Sequence, residues 1–173
     1  MIFPTPSPSN RPNTEHGPTA EHEPVNVHSL AKDRQRRRYR ILLAEDNTVN
    51  QMVAVRLLDK LGYSVDVVAD GQEAIASVAS ISYDLVLMDC QMPEVDGYQA
   101  TRAIRASSGF QRDIPIVALT ANAMTDDREK CLAAGMNDYI AKPVRRDELQ
   151  EVLERWLNGA PDTAVTTQPR QGD

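Results

Sequence analysis

The chain has 173 residues, 41% of them hydrophobic, enough for one domain with a buried core. Its formal net charge of −6 argues against a general nucleic-acid binder, whose footprint is a basic face. No apolar run reaches the ~18 residues that cross a bilayer, Pro4, Pro6 and Pro8 interrupt any secretory leader, and Cys90 and Cys131 make neither a disulfide framework nor a CxxC motif, so a cytoplasmic protein in a reducing compartment is expected.

Residues 1–38 carry six of the eleven prolines and all three histidines (His16, His22, His28), with almost no apolar periodicity. Such a segment buries too little surface to offset its ordering entropy, so a disordered tail or linker is predicted. Its closing arginines, Arg34 and Arg36 to Arg38, read as a solvated linker end rather than a patch for an acidic partner. One compact domain is expected over 39–158, followed by a flexible polar tail over 159–173.

Within the domain the pattern alternates. A strand over 40–44 leads to a helix over 48–61, with Val49, Met52, Val53, Leu57 and Leu61 on one face and Gly62 as its C-terminal stop. A strand over 64–69 precedes a helix over 71–80 that turns Ala74, Ile75 and Val78 inward. A strand over 84–88 precedes a helix over 97–106 carrying Ala100, Ala103 and Ile104, with Asp96 as its N-cap. A strand over 115–119, a helix over 125–134 stopped by Gly135, a short strand over 139–141 and a helix over 145–157 complete the series. The last helix faces Leu149, Val152, Leu153 and Trp156 inward. Strands this rich in Val, Ile and Leu suit burial on both faces. The fold class is therefore α/β, a doubly wound five-stranded parallel sheet with helices on both sides.

Four of the strands run into polar residues: Glu45 and Asp46, Asp89, Thr120, and Lys142. The C-terminal ends of parallel strands share one edge, so these groups should converge. Clustered carboxylates are costly without a cation between them. Oxygen donors with no histidine nearby suit Mg²⁺. Lys142 adds a point charge fit for a phosphate oxygen and Thr120 adds a hydroxyl. Together these describe phosphoryl transfer. No phosphate-binding glycine loop of the nucleotide-binding kinds is present, so the nucleophile is most simply a carboxylate, with Asp89 the best placed.

Five segments carry a resemblance. Ile41 to Asn47 (ILLAEDN), Asp84 to Pro93 (DLVLMDCQMP), Asp96-Gly97, Ala118 to Ala123 (ALTANA) and Gly135 to Pro143 (GMNDYIAKP) stand in order at strand ends. Residues 40 to 157 thereby resemble a receiver domain of the two-component response regulators, and the wording is similar to receivers of hybrid sensor histidine kinases. The resemblance implies a flavodoxin-like strand order 2-1-3-4-5. It implies that Asp89 takes a phosphoryl group from a partner phosphohistidine, on a sensor histidine kinase or a histidine phosphotransfer protein. Mg²⁺ would be held by Asp46, Asp89 and the Gln91 carbonyl, with Glu45 acting through metal-bound water. Lys142 would pair first with Asp89 and then with the phosphoryl oxygen. Thr120 and the aromatic Tyr139 would be the switch, and the Lys142–Pro143 bond would be cis. Gln91 and Asn122 would tune phosphoryl lifetime. A phosphorylation-dependent dimer is compatible with the resemblance.

The expectation is a switch and phosphorelay acceptor that acts on itself and is not otherwise an enzyme. Its domain carries no histidine, and too little chain follows residue 157 for a DNA-binding output domain. Two other functions compete. An aspartyl-phosphate phosphatase of the haloacid-dehalogenase kind would need an acid two residues after the nucleophile, where Gln91 stands. A phosphorylation-independent interaction module would not need the complete set of acids, threonine and lysine. Cys90 is expected to point into the core and Cys131 to pack within its helix.

Overall fold

The computed structural model describes residues 39–121 and 125–157. The expectations for both tails, the tail histidines and Asn122 lie outside the described residues.

The elements in chain order are β1 (Arg40–Ala44), α1 (Thr48–Leu61), β2 (Ser64–Val68), α2 (Gly71–Ser80), β3 (Leu85–Asp89), α3 (Gly97–Ala106), a short 3₁₀ turn (Phe110–Asp113), β4 (Ile116–Thr120), α4 (Thr125–Ala134), β5 (Asp138–Ala141) and α5 (Arg146–Leu157). All neighbouring strands are parallel, in the order β2-β1-β3-β4-β5. The central strands β3 and β4 are buried along their whole length, and β1 is buried after Arg40. The edge strand β2 is only half covered.

Alternation along the strands feeds two cores, one on each face. Leu42, Ala44, Val86, Met88, Ile116 and Ala118 pack under α2, α3 and α4. Ile41, Leu43, Leu87, Val117, Leu119 and Ile140 pack under α1 and α5. Each fully buried Leu or Ile contributes about 1.5–3 kcal/mol of transfer free energy, so a parallel sheet covered on both sides is the arrangement that uses these runs.

Local signals fix where the helices begin and end. The Asn47 side chain accepts the amides of Val49 and Asn50 at the start of α1, and Gly62 ends that helix at φ 87°, a left-handed conformation that glycine adopts without strain. Asp70 caps α2 and Asp96 caps α3 through the amides of Glu73 and Gln99.

Four details differ from the sequence reading. On α1 the buried residues are Ala54, Leu58 and Leu61, whereas Val49, Met52 and Val53 are 60%, 54% and 46% exposed. The first turns of α1 follow directly on the C-terminal end of β1, at the edge of the sheet. On α3, Ala103 is exposed and Thr101 is buried instead, its hydroxyl donating to the Gly97 carbonyl at 2.7 Å. Strands β3 and β4 each extend one residue further, so Asp89 and Thr120 are themselves ladder residues, paired with Leu119 and Ala141. The 3₁₀ turn was not anticipated.

Candidate phosphoryl-acceptor site

β1 pairs with β2 on one side and β3 on the other, which makes the β1–β3 boundary the switch point of the sheet. Ala44 lies opposite Met88, so the chain leaves β1 as Glu45 and Asp46 level with Asp89. The Lys142 amide donates to the Thr120 carbonyl at 2.7 Å and anchors the segment after β5 to the end of β4. The Lys142–Pro143 bond is cis, as expected.

Lys142 Nζ sits 2.6 Å from Glu45 Oε2 and 2.7 Å from Asp89 Oδ2. One oxygen each of Glu45, Asp46 and Asp89 lie within 4.8 Å of one another. Glu45 and Asp89 are buried, while Asp46 is exposed and opens the cluster to solvent. Three carboxylates against one ammonium leave two formal negative charges. Oxygen-only donors with that charge fit Mg²⁺, which binds through few carboxylates and keeps its waters. Cys90 does not compete as a ligand, because its thiol lies in the core.

Burial raises the Asp89 carboxyl above the ordinary carboxylate range, against the opposing pull of Lys142 and the Gln91 amide. For Lys142 burial acts to lower the pKa, but the hydrogen bonds and charges of Asp89 and Glu45 outweigh it, so the net shift is upward. Burial also pushes the Cys90 thiol up to about 12, so it is no rival to Asp89 as a nucleophile.

The other expected residues fall as follows. Thr120 is buried at the end of β4. The Gln91 amide donates to Asp89 Oδ1 at 3.1 Å, and its side chain is exposed. Tyr139 is half-buried against the core under α3 and α4. The expected set of Glu45, Asp46, Asp89, Thr120 and Lys142 therefore collects at one end of the sheet.

Sequence reasoning missed what holds Glu45. Its Oε1 accepts from Asn50 Nδ2 at 2.9 Å and from the Asn47 amide at 3.3 Å, and its carbonyl accepts from Gln51 Nε2 at 2.6 Å. The signal is present in the Glu45-Asp46-Asn47-Thr48-Val49-Asn50-Gln51 run, where three amides follow two acids across one helical turn. Gly97 was read as a helix start and as part of the Asp96-Gly97 motif, not as a packing contact. A Cβ there would lie 2.1 Å from the Asp89 carbonyl oxygen, so glycine permits the close approach of α3 to the strand end.

The family model described as the response regulator receiver domain matches residues 41–154. The hybrid signal transduction protein dokA of Dictyostelium discoideum is 41% identical over 133 residues, which are 75% of this chain and 8% of that protein. The chain spans less than a fifth of the length of the curated relatives it matches first, 18% in the case of an Oryza sativa subsp. indica histidine kinase. Among solved structures, the receiver domain of the Pseudomonas aeruginosa PAO1 sensor histidine kinase PA1611, with a magnesium ion coordinated in its active site cleft, is 55% identical at a TM-score of 0.65, covering 70% of this chain and 98% of that one. The receiver domain of the Saccharomyces cerevisiae response regulator Ssk1, solved with the histidine phosphotransfer protein Ypd1, is 33% identical at a TM-score of 0.63, covering 68% of this chain and 88% of that one. By sequence, strand order and the acids gathered at its sheet edge, the chain belongs to the response regulator receiver family.

Proposed function

We propose that Asp89 accepts a phosphoryl group from a phosphohistidine of a partner protein, with Mg²⁺ held at Asp46 and Asp89 and the Gln91 carbonyl. The observation that carries this reading is the Lys142 ammonium lying within 2.7 Å of both Glu45 and Asp89, with Asp46 beside them. A carboxylate oxygen of Asp89 forms the new P–O bond as the P–N bond to the donor imidazole breaks. When bound, Mg²⁺ supplies neutralisation of the charge on the equatorial oxygens. Lys142 moves from the free carboxylate to a phosphoryl oxygen, and Glu45 stays in place because Asn50 and the Asn47 amide still hold it. Thr120 closes on the phosphoryl group, and Tyr139 follows it inward, shifting the face of α4, β5 and α5 between two populated states. The chain works on its own aspartate and turns over no free substrate.

The donor approaches along α1. Val49, Met52 and Val53 leave an exposed apolar strip, and a notch of about 80 Å³ beside it is lined by Glu45, Asn50, Val53, Lys142, Pro143 and Val144. A histidine-bearing helix seated there reaches the acid cluster directly, and the complex of the Ssk1 receiver with Ypd1 supports a partner of that kind. The test is intact mass after incubation with acetyl phosphate. With Mg²⁺ the parent gains one phosphoryl group. Without the metal, or in Asp89→Asn, it gains none. Equal labelling of Asp89→Asn would exclude the reading.

A further inference from the structure

Cys90 and Cys131 take no part in the phosphoryl site, yet their sulfurs meet. The two Sγ atoms are 3.8 Å apart, on residues 41 positions apart in sequence, and the side chains are buried under α3 and α4. They are the only cysteines in the chain, so an intramolecular bridge has one possible connectivity. A disulfide requires about 2.05 Å, which asks the sulfurs to close by roughly 2 Å.

Cys90 is fixed by its amide on the Leu119 carbonyl at 3.0 Å and by its carbonyl accepting from Gly97 at 3.3 Å. Cys131 rides on α4, and its carbonyl accepts from the Met136 amide at 3.0 Å. Closing the bridge draws α4 and the strand end next to Asp89 together. The sulfurs are 3% and 1% exposed by residue, so the oxidant has to be small and uncharged. A hydroperoxide meets that demand, and a bulky charged disulfide does not.

We propose that Cys90 and Cys131 form a redox-modifiable dithiol, closed to a disulfide by a hydroperoxide, and that the bridge fastens α4 to the acceptor strand and slows phosphoryl uptake at Asp89. The chemistry balances in two steps. Burial holds both thiols mostly protonated, so closure is slow: one of them, through its minor thiolate form, takes the terminal peroxide oxygen to become a sulfenic acid, releasing water from hydrogen peroxide. The second thiol displaces that oxygen, again as water, and forms the S–S bond.

The experiment treats the reduced full chain with hydrogen peroxide and follows intact mass, free thiols in denaturant, amide exchange of α4 and the rate of acetyl phosphate labelling. The expected result is a monomer lighter by two hydrogens, with both thiols lost, a Cys90–Cys131 cross-linked peptide, slower exchange in α4, and labelling slowed at least three-fold. Thiol reductant reverses all of these. Cys131→Ser and Cys131→Ala, used together in case one packs poorly, should label at a rate peroxide does not slow. Products that carry added oxygen without a cross-link, or that bridge two chains, would overturn the proposal. So would a bridged protein whose α4 exchange and labelling match the reduced form. Because the bridge and the exchange are read without phosphate, absence of labelling in reduced protein would count against the Asp89 acceptor reading and leave the dithiol to be decided on its own.

Discussion

Replacing Lys142 by methionine leaves Glu45 and Asp89 buried side by side without their shared cation. Breaking a buried charge pair from one side costs about 3–5 kcal/mol. Here the loss should sit near 3 kcal/mol, since the Lys142 side chain keeps 20% of its surface in water. Urea unfolding measures it, and Mg²⁺ should restore more stability to Lys142→Met than it adds to the parent. The pH dependence has a fixed sign. The folded pKa of Lys142 lies above its ordinary 10.5, so its contribution is complete below about pH 10.5 and is lost as pH rises through the folded value. Asp89 behaves oppositely: its raised pKa makes the buried carboxylate a burden at neutral pH that protonation relieves. Phosphoryl uptake should accordingly fall on acidification at a higher pH than an ordinary carboxylate would give. At Asn50, substitution by leucine removes the 2.9 Å bond to Glu45. That bond is worth about 1 kcal/mol, or a roughly five-fold weaker Mg²⁺ affinity, readable by titration calorimetry. An unchanged affinity would remove Asn50 from the site.

At the scale of elements, α3 and α1 carry the next two predictions. The N-terminus of α3 presses on the acceptor strand through Gly97, where a Cβ would meet the Asp89 carbonyl at 2.1 Å and Met88 Cγ at 3.0 Å. Gly97→Ala should therefore cost about 2 kcal/mol in urea unfolding, with Mg²⁺ binding weakened as Asp89 is displaced. Gly109, with nothing within 4 Å of its Cβ position, is the control that should tolerate alanine. On α1, changing Val49 and Met52 to lysine touches the exposed strip and not the buried Ala54, Leu58 and Leu61. Transfer from a histidine phosphotransfer protein should then fall at least ten-fold more than labelling by acetyl phosphate. Equal losses from both donors would place the docking face elsewhere. This strip is also where periodicity misled. An apolar run at helical spacing reports a face but not what lies opposite it, and here the face at the edge of the sheet was mistaken for the core.

For the whole molecule, the sheet and the acids were legible because four of the five strands announce themselves twice, by an apolar run and by the polar residue that ends it. Ile41 to Ala44 before Glu45 and Leu85 to Met88 before Asp89 are buried throughout, as strands of a parallel sheet covered on both faces are. What stayed illegible depends on contacts between separate elements: the approach of Gly97 to Asp89, and the meeting of Cys90 with Cys131 across the α3–α4 core. No local pattern encodes such pairings, since each partner alone reads as an ordinary cap, stop or packing residue. The measurement that tests the account most directly is chemical mapping of the labelled aspartate. An acyl phosphate on an aspartate is reduced by borohydride to homoserine. Protein labelled by acetyl phosphate with Mg²⁺, then reduced and digested, should show homoserine at position 89 and at no other acid, with none when the metal is chelated. Homoserine at Glu45's neighbour Asp46, or its absence from position 89 in a protein that has gained phosphoryl mass, would contradict the account.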